Sequence, residues 1–155
     1  MEIPALVYVL VTQHLIGDWW LQSNDMALGK SKNTRAGIWA LTRHVGVVSA
    51  VLMVALDWYY VFALGEIMLS REVSRSIATY VAVNFAAHWV TDYVTSRLNA
   101  KAWFVSCVVE RNEVAQTFIC AMRIDDRKRF WFWRGIGTDQ WIHYVTLFAT
   151  AEWLL

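Results

Sequence analysis

Apolar residues fall along this chain in four long runs, and none of them shows the alternation of a half-buried strand. The first extends from Ile3 to about Gln22, the second from Ile38 to about Leu64, the third from Ile77 to about Arg97 and the fourth from about Thr138 to Leu155. A helix that crosses a bilayer needs roughly 20 mostly apolar residues. The pattern therefore predicts an all-α chain, an integral membrane four-helix bundle forming one transmembrane domain over residues 1–155. The connection between the third and fourth runs is long. Its "WFVSCVVERNEVAQTFICAMR" has enough apolar residues to lie along the inner membrane surface as an amphipathic, interfacial helix over about 101–130. Glu110, Arg111 and Glu113 argue against a full span there.

Composition strengthens the membrane expectation. Hydrophobic residues make up 57% of the chain and charged residues 17%, against about 45–50% and about 25% in ordinary globular proteins. Such a chain has too little polar surface to cover itself in water. A net charge of +1 gives no reason to expect a nucleic-acid partner. Cys107 and Cys120 are too few and too far apart for a disulfide framework or a zinc knuckle, and read as small apolar filler. The first run lacks a basic leader and a small-residue cleavage site, so it is expected to be retained.

Loop charge gives an orientation. Lys30, Lys32 and Arg35 follow the first run, and Arg97, Lys101, Arg111, Arg123, Arg127, Lys128, Arg129 and Arg134 follow the third. Arg71 and Arg75, after the second, are offset by Glu66 and Glu72. The positive-inside rule puts the first and third connections in the cytoplasm and both termini outside. Trp39, Trp103, Trp131 and Trp133 then fall near the inner boundary, and Trp58, Tyr59, Tyr60 and Trp153 near the outer one. Gly46 and Ala50, with Ala36 and Ala40, offer small faces for close helix contact, within one bundle or in a homo-oligomer.

Polar residues interrupt this pattern at one spacing. "HLIGD" carries His14 and Asp18, "HWVTD" carries His88 and Asp92, and "DQWIH" carries Asp139 and His143 in the opposite order. Residues four apart share a helix face. The fourth helix runs against the first and third, so the reversed order preserves the arrangement in space, with imidazole deep and carboxylate shallow. With His44 included, all four histidines are expected roughly 8–13 Å below the inner boundary, and the three aspartates about 6 Å nearer the cytoplasm. Carboxylates gathered in a low-dielectric site repel one another unless a cation neutralises them. Arg43, beside His44, is not enough, and a divalent metal is the economical counter-charge. The candidate ligands are His14, Asp18, His44, His88, Asp92, Asp139 and His143. Mixed imidazole and carboxylate donors suit zinc first, then manganese or iron. Seven donors exceed one tetrahedral shell, so either two ions share the site or some aspartates orient the imidazoles.

In "HLIGDWWLQSNDMALGK", the His44 region, "HWVTD" and "DQWIH", the chain resembles a family of uncharacterised bacterial and phage membrane proteins, domain of unknown function 3307. The likeness covers both ends and the middle of the chain but hardly residues 101–130. Along its first stretch His14, Asp18, Gln22, Met26 and Lys30 recur every fourth residue. The resemblance implies the inner membrane of a bacterium or a phage-infected host. A more distant similarity, to membrane-bound metal-dependent hydrolases, implies a reaction class by analogy and no substrate.

Two functions fit these residues. The first is a membrane-embedded hydrolase, its metal most simply zinc, acting at the cytoplasmic face on a lipid or other amphiphile that bears a phosphate. Asp18 or Asp92 would be its base or acid. Lys30, Lys32, Arg35, Arg43, Arg97 and Lys101 ring the expected entrance, where they would hold the anionic group of the substrate. Positive-inside anchoring explains each of these basic residues equally well. The second function is non-enzymatic: a metal- or proton-binding element in a small channel or transporter, or a phage protein acting on the host envelope. A soluble bundle with a metal core is a third reading, opposed by the run lengths and the loop charges.

Overall fold

The computed structural model describes residues 3–63, 65, 70–102, 106–112, 117–123 and 126–154, and side chains over 5–27, 29–62, 65, 70–99 and 134–154. Each apolar run folds as helix, with short polar side chains at several of the starts. α1 spans Ile3–Leu15 and continues as a π-helical turn, Ile16–Trp20. A short α2, Asn24–Gly29, follows, capped by the Ser23 hydroxyl, which accepts from the Met26 N–H at 3.3 Å. α3, Arg35–Trp58, begins at Thr34, whose hydroxyl accepts from the Gly37 N–H at 3.1 Å. It ends through a second π turn, Tyr59–Ala63, and Gly65 then turns the chain at φ 72°, a left-handed conformation that glycine adopts without steric penalty. α4, Arg71–Ala102, is preceded by Ser70, whose hydroxyl takes the Val73 N–H, and α5 is Asp126–Leu154.

Two corrections concern the stretch before α5. Part of the expected interfacial helix is a β-hairpin: β1 (Ser106–Asn112) pairs antiparallel with β2 (Thr117–Arg123), in register from Ser106↔Arg123 to Asn112↔Thr117. Val108, Val109, Thr117, Phe118 and Ile119 in these segments are types that lose side-chain freedom in a helix and suit a pleated backbone. α5 also begins about a dozen residues before the fourth apolar run. The side chains of Lys101, Trp103, Cys107, Cys120, Trp131 and Trp133 lie outside the described residues.

The four long helices close a ring of contacts: α1 on α3, α3 on α4, α4 on α5, and α5 back on α1, with α2 laid against α3. Neighbours are antiparallel, because the start of α1 (Leu6, Leu10) meets the end of α3 (Leu52, Leu56) and the start of α4 (Ile77, Tyr80) meets Leu147 near the end of α5. These residues form an apolar core in one half of the bundle, and Tyr59 and Tyr60 belong to it. The sequence places these two tyrosines in an outer aromatic belt, and the structure buries them instead. They continue the Leu52–Leu56 stripe of α3 inward at helical spacing. Trp58 and Trp153 do face outward.

The other half of the interior is polar. Gln13, His14, Asp18, His44, His88, Asp92, Arg97 and His143 are all buried there. Among the described residues one helix, Arg35–Phe62, is long and apolar enough to cross a membrane.

Candidate metal centre

Each long helix contributes to the polar half. The π turn after α1 sets the position of Asp18. The Leu21 N–H donates to the Ile16 carbonyl at 3.0 Å, a bond one residue longer than in an α-helix. Gly17 makes this turn possible against α3, since a Cβ there would lie 3.0 Å from the Val48 Cα. Asp18 is thereby carried to His44, whose Nε2 is 2.9 Å from Asp18 Oδ1. Gln140 of α5 donates to the other oxygen, Oδ2, at 2.6 Å.

Asp92 of α4 is the hub of the cluster. Its Oδ2 accepts from Lys30 Nζ at 2.8 Å and lies 3.2 Å from His44 Nε2, and its Oδ1 lies 3.1 Å from His143 Nε2. His88 Nε2 stands 3.9 Å from Asp18 Oδ1 and 3.7 Å from Asp92 Oδ2. The His88 and His143 rings are 4.0 Å apart between centroids, and His14 packs beside both, at 5.6 and 5.4 Å. Asp139 stands to one side. It accepts from the Thr95 hydroxyl at 2.6 Å and its nearest imidazole is His143, at 3.7 Å.

The sequence predicts separate tiers of imidazoles and carboxylates about 6 Å apart, from helical rise alone. The structure interleaves them instead. His44 has no aspartate four residues away on its own helix, and it bridges Asp18 of the π turn after α1 to Asp92 of α4. Side-chain reach, several ångströms in His and Asp, overrides the offset between Cα atoms.

The basic residues are placed differently from one another. Lys30 points inward onto Asp92, although α2 and its connection lie at the end of the bundle. Burial opposes its charge, but the Asp92 and Asp18 carboxylates outweigh that and hold its pKa above the ordinary lysine value. Arg97 is buried and tied to the same connection: it donates to Asn33 Oδ1 at 2.5 Å and to the Lys32 carbonyl at 3.2 Å, with its guanidinium 3.7 Å over the Tyr93 ring. Arg35 and Arg43 are exposed. Lys30 and Arg97 thus fasten the α2 segment to α4 and are not free at an entrance.

Two groups here have ligand atoms close enough to hold a metal ion, within 4.8 Å of one another and all buried: Asp18, His44 and His88, and His88, Asp92 and His143. Asp139 and His14 belong to neither. The hydrogen bonding is consistent with a cation. His44 Nε2, His88 Nε2, His14 Nε2 and Asp18 Oδ1 are buried without a hydrogen-bond partner, though some lie within 3 Å of one another. His44 Nε2 and Asp18 Oδ1 are 2.9 Å apart, while His14 Nε2 and His88 Nε2 are buried with no such close partner, and leaving them so costs free energy unless a cation or water meets them. His88 has one lone pair at Nε2, so it can serve one group at a time. Asp18, His14, His44, His88, Asp92 and His143 are brought together, and Asp139 reaches the cluster only through His143.

Gln140, Gln13 and Thr95 escaped the sequence reading. Gln140 is three residues before His143 and on the same helix face, a spacing that could have pointed to it.

Residues 6–154 match the family described as protein of unknown function (DUF3307). The chain belongs to that family. No curated protein and no solved structure matches it. For the DUF3307 chain, function therefore has to be argued from the site itself.

Proposed function

We propose that this DUF3307 protein is a membrane-embedded, metal-dependent hydrolase acting on a phosphate-bearing lipid or other amphiphile, with its centre toward the cytoplasmic face of a bacterial inner membrane or a phage-infected host. The observation that carries the reading is the buried Asp18–His44–His88 group with Asp92 beside it. Two imidazoles and one carboxylate are a donor set that catalytic zinc sites use, keeping a fourth position for water. A zinc ion held there would acidify that water and polarise a phosphoryl oxygen.

In this mechanism Asp92 is the general base. It stands 3.2 Å from His44 Nε2 and 3.7 Å from His88 Nε2, beside the residues that would hold the ion, and would take the proton from water that the ion activates. His143 holds its Oδ1 and Lys30 its Oδ2, which fixes the plane of the carboxylate and balances its charge. Gln140 does the same for Asp18 Oδ2, leaving Oδ1 for the metal. Because His88 is shared, the two candidate groups are alternatives, and one ion is proposed.

Membrane embedding is supported by large apolar side chains on the outside and a polar cluster inside the bundle. Trp20, Trp39, Val54, Trp58, Phe62, Trp141 and Trp153 are each more than half exposed, while four imidazoles and two carboxylates are buried. Large apolar patches of this kind mark a membrane or partner surface.

The test uses detergent-purified protein with phosphatidic acid and phosphatidylglycerol in mixed micelles, reading release of phosphate or head group. Turnover is expected to vanish with a chelator, to return with zinc, and to fall by about 10²–10⁴-fold in Asp92→Asn while the metal stays bound. Metal-loaded protein that yields no product but carries zinc or protons into liposomes would overturn hydrolysis in favour of transport.

A further inference from the structure

The centre holds more donor atoms than an open metal site needs. Asp92 Oδ2 lies 3.2 Å from His44 Nε2 and 3.7 Å from His88 Nε2, and Asp18 Oδ1 lies 2.9 and 3.9 Å from the same two nitrogens. Ligand atoms around a tetrahedral zinc, each about 2.0–2.2 Å from the ion, stand about 3.3–3.6 Å from one another. The four separations straddle that spacing, so Asp92 is placed to become a fourth protein ligand. Four protein ligands make a closed, structural zinc site, whereas a catalytic one keeps a position for water. An ion that activates water here requires Asp92 to be held away from it.

The two carboxylates differ in what holds them. Asp18 rests on a neutral group, the Gln140 amide at Oδ2, and its Oδ1 is left to the two imidazoles. Asp92 has both oxygens engaged, Oδ1 by His143 Nε2 at 3.1 Å and Oδ2 by the Lys30 ammonium at 2.8 Å. That ammonium fills a lone pair of Oδ2 through a charge-assisted bond, and its charge repels a divalent ion on the same oxygen. The Lys30 side chain is only 17% exposed, so water screens the repulsion weakly. The backbone that carries Lys30 is fixed independently of its charge. The Ser96 hydroxyl donates to the Lys30 carbonyl at 3.4 Å, and Arg97 donates to the Lys32 carbonyl and Asn33 Oδ1. At Gly29 a Cβ would lie 2.8 Å from the Ala40 Cβ, which presses the end of α2 onto α3.

We propose that Lys30 is a positioning residue that keeps the metal centre open. Its ammonium holds Asp92 Oδ2 off the ion, so that Asp18, His44 and His88 alone ligate it and Asp92 stays available as the base. Without that charge, Asp92 joins the ion as a fourth ligand, and affinity rises as the open position is lost. The proposal rests on the metal-dependent reading above and supplies what keeps that site from closing, but it does not require hydrolysis.

Cobalt(II)-substituted, detergent-purified protein tests this without recourse to turnover, with azide as the probe of a free position. Azide should change the visible absorption of the wild type and of Lys30→Arg, and leave that of Lys30→Met unchanged. Lys30→Met should bind zinc at least tenfold more tightly than the wild type, since it gains a carboxylate ligand and loses a repelling charge. Zinc should also raise its melting temperature by more than it raises that of the wild type, offsetting the stability lost with the ion pair in the metal-free protein. Lys30→Ala, prepared like Lys30→Met in the presence of metal, should behave in the same way. Neutral variants that keep the azide response, or that bind zinc no more tightly than the wild type, would overturn the role of Lys30 and leave hydrolysis standing. A wild-type centre that ignores azide is already closed and would overturn it as well. An open wild-type centre that both neutral variants close, with no lipid turned over, would support the role of Lys30 and count against hydrolysis alone.

Discussion

Asp92 is the residue on which most of the polar half depends. It receives Lys30 from the α2 connection, His143 from α5 and His44 from α3, so a single carboxylate ties three elements to α4. Removing one partner of a buried pair leaves the other charge uncompensated, at about 3–5 kcal/mol. Lys30→Met is therefore expected to destabilise the protein by that order, and Asp92→Asn likewise. The double variant should recover much of the loss, giving a strong coupling in a thermal-unfolding cycle in detergent. Strictly additive losses would mean that the 2.8 Å contact is incidental. The motif residues at this scale were legible from the sequence, because i, i+4 spacing on a helix is a local fact. Lys30 was not. From the sequence Lys30 is an entrance residue for an anionic group or a positive-inside anchor, and only the fold of α2 back across the bundle brings it to a residue 62 positions away.

At the scale of elements, the first π turn decides whether α1 and α3 meet. Gly17 sits where a Cβ would lie 3.0 Å from backbone of α3, and backbone cannot swing aside as a side chain can. Gly17→Ala should cost about 1–3 kcal/mol of stability by overpacking, and it should also move Asp18 away from His44. Gly46 makes a useful contrast: nothing lies within 4 Å of its would-be Cβ, so Gly46→Ala in the middle of α3 should stabilise by about 0.5–1 kcal/mol. Comparing the two melting temperatures checks the packing directly, and a neutral Gly17→Ala would contradict it. The sequence reading had offered Gly46 and Ala50 as contact faces. Small residues mark where close approach is allowed, and which of them is used depends on helix rotation, which composition does not encode. The same limit applies to β1 and β2, whose alternation is masked by charges, and to the start of α5, where the "FWFWRG" stretch continues the helix beyond its apolar run.

For the whole molecule, the central contrast is between large apolar side chains left exposed and a cluster of polar and titratable side chains buried inside. A soluble bundle would distribute these residues the other way. The protein is therefore expected to remain in the membrane fraction on alkaline carbonate washing and to leave it with detergent. Release by carbonate alone would remove the membrane reading. The helical character of the apolar runs, their antiparallel order and the gathering of imidazoles were readable, the last two because the reversed "DQWIH" encodes chain direction, whereas the short α2 makes five helices among the described residues where four were expected. The interleaving of the two tiers, and the sidelong position of Asp139, depend on side-chain reach across the bundle and had no signature in one dimension.

Metal content measured by elemental analysis on detergent-purified protein and on point variants tests the centre most directly. About one equivalent of a divalent ion per chain is expected in the wild type, lost in His44→Ala and His88→Ala and kept in Asp139→Asn. Well-folded wild-type protein without metal after incubation with zinc, or metal retained by His44→Ala and His88→Ala alike, would contradict the centre described above.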